Sequence, residues 1–214
     1  TAGYIGDLVN MRVTIAANST FPAHDTPLHW RHDRDLSGNN IMSMGIWYEA
    51  LMRWAGPAKS VQALSQVVVK HRKDESGRRR AITVPDQIDV LCQMACGGTL
   101  NMSVTTVSGL ASPLEVWVHG TDGTLRLEQT DQQTDQGLPG LRLTGGKRGD
   151  KALKEITIMS ENKGKWRVEE EFISAIRGIE PVTHTNFMDG VKYMEWTDAV
   201  TDAFQSGETV HLPL

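Results

Sequence analysis

The pattern that most narrows the architectures open to this chain is the run from Gln87 to Val107, two alternating stretches that meet at Gly97 and Gly98. A glycine pair supplies the positive φ angles of a tight connection, so the run is predicted to be a β-hairpin. Ile88, Val90, Cys92, Met94 and Cys96 are expected on one side, and Leu91, Ala95, Leu100, Met102 and Val104 on the other. Both faces are then partly apolar. An antiparallel sheet with one wet face shows a cleaner alternation. The expectation is therefore a sheet covered on both sides, by helices on one and by a partner subunit on the other.

The flanking segments extend this picture. Asp7–Ala16 and Val61–Val69 read as strands, and Leu114–His119 with Thr124–Glu128 form a second hairpin around Gly120-Thr-Asp-Gly123. Val210–Leu214 reads as a short edge strand. The first strong helix spans Asn40–Ala55 and stops at Gly56-Pro57; its apolar residues leave a narrow polar strip, so it is expected to be covered nearly all round. A second helix, Arg167–Arg177, carries Val168, Phe172, Ile173 and Ile176 on one stripe. A third runs from Asn186 to Ser206, capped by Thr185 or Asn186 and ended by Gly207. Residues 18–40 lack any period and read as a long loop of the kind that tends to be functional. Gln129–Asp150 reads as a surface excursion. Strand, helix, several antiparallel strands and then helices make an α+β fold. The 214 residues are enough for one sizeable core, so a single domain is expected over 1–214.

Little in the residue chemistry points to a cofactor held by this chain. Lys plus Arg number 22 against 26 Asp plus Glu, so the net charge of −4 makes no field for nucleic acid or an anionic membrane. The basic run Lys70–Arg80 lacks interleaved aromatic residues and reads as a solvated hairpin tip. No Gly-x-Gly-x-x-Gly is present, so no dinucleotide site is expected here. His24, His29 and His32 with Asp25, Asp33 and Asp35 match no zinc spacing, and no metal is expected. Cys92 and Cys96, about 13 Å apart along one strand face, are too far apart to bridge and read as core residues. With two cysteines and no apolar signal core after Thr1, a reduced, cytoplasmic setting is expected.

Several motifs in order resemble a known family. They are Gly3-Tyr-Ile-Gly6, Trp30-Arg31-x-Asp33, and Leu36-Ser-Gly38 leading into Met44-Gly-Ile-Trp-Tyr48 and Trp54-Ala-Gly56. Val116-Trp-Val-His-Gly120-Thr-Asp-Gly123, Glu171-Phe-x-x-Ala175-Ile and Ala203-Phe-Gln-Ser-Gly207-Glu-Thr-Val210 follow. Together they resemble the C-terminal domain of the glucose-fructose oxidoreductase / inositol dehydrogenase / MocA family over nearly the whole chain. The resemblance implies a large open, mostly antiparallel sheet with helices on one face and the other face used to pair subunits, as a homodimer or higher oligomer. It also implies a preceding Rossmann domain that binds NAD or NADP and carries a catalytic lysine, with Thr1 near the point where that domain would end.

In such a protein this chain supplies substrate binding and oligomerisation for an oxidoreductase acting on a sugar, polyol or related carbonyl compound. Alone it is expected to be inactive. The family often presents Asp-x-x-x-His on the helix after its glycine-rich loop, with the histidine as base. Here those positions hold Ser43 and Trp47, neither of which takes a proton from an alcohol at neutral pH, and the usual double glycine is Asn39-Asn40. The resemblance thus leaves two outcomes. One is an oxidoreductase whose substrate meets Trp30, Arg31, Asn40, Ser43 and Trp47, with His184 as the replacement acid or base; the other is a non-catalytic, ligand-sensing member of the fold.

Overall fold

The computed structural model describes residues 3–133, 139–159, 162, 164, 167–183 and 185–214. Its centre is a nine-stranded sheet built from β1 (Leu8–Ile15), β2 (Ala58–Gln66), β5 (Gln87–Met94), β6 (Thr99–Thr105), β7 (Leu114–Gly120), β8 (Gly123–Gln133), β9 (Pro139–Lys147), β10 (Lys154–Glu155) and β11 (Val210–His211). Their order is β10-β9-β8-β7-β1-β6-β5-β2-β11. Among the described residues of this sheet, β1 with β6 is parallel and the other pairings are antiparallel. A separate two-stranded ribbon, β3 (His71–Lys73) with β4 (Arg79–Ala81), projects from the end of β2. The helices are α1 (Arg34–Ser37), α2 (Met44–Ala55), α3 (Val168–Ile176) and α4 (Phe187–Ser206).

One face of the sheet makes the core. Met11, Val13 and Ile15 of β1 join Val61 of β2, Ile88, Val90 and Cys92 of β5, Leu100, Met102 and Val104 of β6, and Val116 of β7. Against them pack Met44, Tyr48 and Leu51 of α2 and Trp196, Ala199, Val200 and Ala203 of α4. Burying each large apolar side chain contributes roughly 1.5–3 kcal/mol. A one-residue slip of any central strand would turn its whole set to solvent, so burial fixes the register. α4 forms as its ends predict: Asn186 Oδ1 accepts from Asp189 N at 3.0 Å, and Gly207 closes the helix at φ 74°. Among the described residues no helix is long and apolar enough to cross a membrane.

The central hairpin differs from expectation in one respect. Gln93 pairs with Thr99, Cys92 with Leu100, Val90 with Met102 and Ile88 with Val104. Directly paired residues share a face, so Leu100, Met102 and Val104 lie on the same side as Ile88, Val90 and Cys92. A two-residue turn at Gly97-Gly98 would have put them opposite. The connection between Gln93 and Thr99 is five residues long, which preserves parity. The other face carries Asp89, Gln93, Thr99 and Asn101, with Leu91 51% exposed. It is a polar face, and the argument that both sides must be covered falls with it. Cys96 sits exposed in the turn and not in the core, whereas Cys92 is buried.

Four further expectations change. α2 is not covered all round, since Ile46 and Trp54 are exposed. The stripe Val168, Phe172, Ile173 and Ile176 of α3 also faces solvent, and the buried residue of that helix is Glu171. Its carboxylate accepts from Thr183 N at 3.1 Å and from Thr183 Oγ1 at 2.5 Å. Within residues 18–40 the chain forms a 3-10 turn at Trp30–His32 and then α1. The excursion over 129–150 continues β8 to Gln133 and supplies β9, where Leu143 pairs with Leu127 and Arg142 with Glu128.

Candidate functional site

The residues ahead of α2 adopt a backbone that ordinary helix starts do not use. Met42 (φ 49°) and Ser43 (φ 57°) are both left-handed, a conformation costly for residues with a Cβ and concentrated at functional positions. Ser43 makes no capping bond. Its place is taken by Asn40, whose Oδ1 accepts from Gly45 N at 2.9 Å. Asn39 anchors the same turn from below: its Nδ2 donates to Asp198 Oδ1 of α4 at 2.9 Å, and its Oδ1 accepts from Arg34 Nη2 of α1 at 2.8 Å. Asn39-Asn40 thus tie α1, α2 and α4 at one corner.

Beyond that corner α2 shows two sides. Inward, Tyr48 lies parallel to Trp196 with ring centroids 4.1 Å apart, and Trp196 Nε1 donates to Cys92 Sγ at 3.4 Å. Burial pushes the Tyr48 hydroxyl well above the usual phenol range and the Cys92 thiol up to about 12, so both stay protonated. One residue back, Trp47 is half-buried at the rim of the core, one helical turn from Ser43. Outward, Glu49 Oε1 accepts from Arg53 Nε at 2.5 Å and from Thr185 Oγ1 at 2.7 Å, and Arg53 Nη2 also donates to Thr185 Oγ1. This triangle holds the segment before α4 against α2. His184 lies outside the described residues; Thr185, its neighbour, does not.

Trp30 and Arg31 are placed elsewhere. The Arg31 guanidinium lies over the Trp30 ring, 4.2 Å from its centroid, and Trp30 is 48% exposed. His29 and His32 cap this turn for each other: Arg31 N donates to His29 Nδ1 at 3.3 Å, and His29 N donates to His32 Nδ1 at 3.1 Å. Burial, with the positive charges of Arg72 and His29, holds the His32 imidazole below its ordinary pKa, against the smaller pull of Asp86. A cleft of about 460 Å3 opens beside them, lined by Leu28, His29, Trp30, Asp33, Leu36 and the ribbon tip Asp74–Ser76.

Among the described residues, no hydrogen bond, ion pair or ring contact joins Trp30 or Arg31 to Asn40, Ser43 or Trp47. The structure therefore gathers Asn40, Ser43 and Trp47 at the start of α2, and sets Trp30 and Arg31 on the loop packed against the ribbon. Among the described residues no group of three His, Cys, Asp or Glu side chains could hold a metal ion. Sequence reading missed the Glu49–Arg53–Thr185 triangle, although the i,i+4 spacing of Glu49 and Arg53 on a helix signals half of it. The arrangement offers a hydroxyl, an amide and an indole, groups that hydrogen-bond and stack on a polar ligand.

Comparison with known proteins bears on what this corner serves. The family described as the GFO/IDH/MocA C-terminal domain matches residues 1–126, a span that includes the loop, α1 and α2. No curated protein sequence matches. Among solved structures, levoglucosan dehydrogenase in complex with NADH and L-sorbose superposes with a TM-score of 0.79 at 17% identity, over 99% of this chain and 60% of that one. An NAD binding oxidoreductase from Klebsiella pneumoniae gives 0.74 at 17% identity, over 99% and 61%. A super-repressor mutant of Gal80p from Saccharomyces cerevisiae gives 0.72 at 16% identity, over 99% and 60%. The chain spans about 60% of the length of these structures, and at such identities the likeness speaks to the fold. The match over more than half of its residues places the chain in the GFO/IDH/MocA C-terminal domain family.

Proposed function

We propose that residues 1–214 form the substrate-binding and oligomerisation domain of an NAD(P)-dependent oxidoreductase acting on a sugar, polyol or related carbonyl compound. The observation that carries this reading is the family match across the segment that builds the α2 corner. NAD or NADP, held by another part of the protein, would give or take the hydride. Asn40 and Ser43 would hydrogen-bond substrate hydroxyls, and Trp47 would offer its ring to the apolar face of a sugar. Trp30 and Arg31 would line the approach from the loop. His184 would supply or remove the proton, beside the Thr185 that Glu49 and Arg53 hold against α2.

One exposed surface fits this reading. Phe172 and Ile176 of α3 with Phe187, Met188 and Val191 of α4 are exposed apolar side chains. We assign the rest of the oxidoreductase, which makes up some two-fifths of the matched structures, as their cover. The free thiols, one of them exposed, suit a reducing compartment. The test is to titrate NADH and NADPH into the protein as its whole gene encodes it, then screen sugars and polyols for turnover. Saturable dinucleotide binding with turnover of one sugar is the expected result, and failure to bind either dinucleotide overturns it.

A second reading, a ligand-sensing regulator, is favoured by Ser43 and Trp47 standing where the family often carries its acid-base pair. Turnover that survives Trp47→Phe and disappears in His184→Ala argues for the enzyme with a relocated proton donor. Sugar binding without turnover in either dinucleotide argues for the sensor.

A further inference from the structure

We propose that the root of the β3–β4 ribbon is a binding site for a phosphate-bearing small molecule, seated in a cleft of about 460 Å3 lined by His24, Lys70, His71, Arg72, Lys73 and Arg79. The volume suits a ligand of sugar-phosphate size. Among the described residues, four cations line the cleft and no carboxylate does. Some arginines elsewhere on this fold meet acids, as Arg126 meets Glu115 and Glu128, and Arg167 meets Glu170 and Glu180. Among the described residues, none of Lys70, Arg72, Lys73 and Arg79 has an ion-pair partner.

The neighbouring acids are committed to backbone. Asp74 accepts from Ser76 N and Arg78 N in its own turn, and Asp86 accepts from Val68 N and Val69 N at 2.8 and 2.9 Å. Arg72 is the sharpest indicator. Its Nη1 donates to Ala23 O at 3.2 Å and to Thr26 O at 3.4 Å, which fixes the guanidinium, while among the described residues its buried Nε–H has no acceptor. A buried donor left open in this way calls for an anion or a water. Burial also lowers the Arg72 pKa, against the smaller pull of the Asp86 charge. Arg79 Nη2 lies 3.0 Å from His71 Nδ1; with Arg79 as donor that nitrogen is unprotonated, and the imidazole proton on Nε2 remains for a ligand.

A phosphate dianion fits this set because several oxygens can accept from forked guanidinium donors at once. Nucleic acid fits less well: no Trp, Tyr or Phe lines the cleft for base stacking, and the chain carries −4 overall. Occupancy would also brace the loop above, since Leu28 N donates to Lys73 O at 2.8 Å and the same loop leads to Trp30 and Arg31.

The experiment is a titration of the 15N-labelled 214-residue chain with inorganic phosphate and then pyrophosphate, against sodium chloride at matched ionic strength, followed at the His24 and His71 rings and the arginine Nε–H signals. Saturable shifts confined to the cleft are expected. Arg79→Gln, at an exposed position, should weaken binding about tenfold, and Arg72→Gln similarly, whereas Arg148→Gln on the far side of the fold should not. Shifts reproduced by chloride, no saturation with either phosphate, or undiminished binding by Arg79→Gln overturns the site. Tight binding of a short single-stranded RNA with no response to pyrophosphate also overturns it, in favour of a nucleic-acid surface.

Discussion

The hydroxyl of Tyr48 accepts from the buried Ala58 N at 2.8 Å while its ring stacks on Trp196, so one side chain ties α2 to β2 and to α4. Tyr48→Phe preserves the stack and leaves the Ala58 N–H without an acceptor, a loss of about 1–3 kcal/mol. Urea unfolding followed by circular dichroism checks this; an unchanged midpoint would mean the bond contributes nothing. His32 gives a second prediction at this scale. Its Nδ1 accepts from His29 N, so the cap requires the neutral ring, and the folded pKa lies below the ordinary 6.5. The folded state therefore favours the uncharged form. That stability is fully present above the unfolded pKa of 6.5 and is lost as pH falls through the lower folded value. The His32 ring signal should titrate with a midpoint below 6.5, and the Trp30 turn should loosen in step. A midpoint at or above 6.5 would contradict the capping role.

At the scale of elements, α2 depends on how closely it approaches α4. A Cβ on Gly45 would lie 3.0 Å from Asn40 Oδ1, 3.1 Å from Tyr193 Cδ2 and 3.3 Å from Thr197 Cγ2. Gly45→Ala gains helix propensity of about 0.5–1 kcal/mol and incurs an overpacking cost of about 1–3 kcal/mol, so the net effect is destabilising. A fall in melting temperature of a few degrees, with a weakened Asn40 cap, is the expected outcome; an unchanged or higher value would show that α4 yields. Much of this scale was legible from local pattern: both main hairpins, α2, α4 and its Asn186 cap stand close to where alternation, periodicity and capping residues place them. What was not legible is what depends on a partner. The parity of Leu100 relative to Cys92 hinges on a connection length that a glycine pair alone does not specify. The exposure of Phe172 and Ile176 depends on what packs against α3, and an apolar stripe looks the same whether it meets the sheet or another domain. Likewise Asn40, Ser43 and Trp47 were within reach because they are neighbours in sequence, whereas the separation of Trp30 and Arg31 from them is a matter of how the loop docks on the ribbon.

At the scale of the whole molecule, the outer face of the sheet is the surface on which assembly can be tested. Arg126 bridges Glu115 and Glu128 across β7 and β8, Arg142 of β9 meets Glu128, and Arg126 also lies 5.0 Å from the Trp117 ring centroid. Leu64 and Leu91 are exposed on β2 and β5 of this otherwise polar face, away from that charge ladder. Nine strands at the usual spacing and length span roughly 40 Å by 20 Å, close to the 800 Å2 per partner of a standard interface. We propose that two copies pair through it, covering Leu64 and Leu91 while the charge ladder sets the register. Such a polar interface is weaker than a buried core and responds to a single charge placed at one of its few apolar positions. Leu91→Glu should therefore shift the chain toward monomer in light scattering at tens of micromolar, with the melting temperature of the monomer unchanged because Leu91 makes no core contact. Wild-type chain that scatters as a monomer throughout that range would remove the sheet face as an assembly surface and return it to solvent, which its polar residues already tolerate.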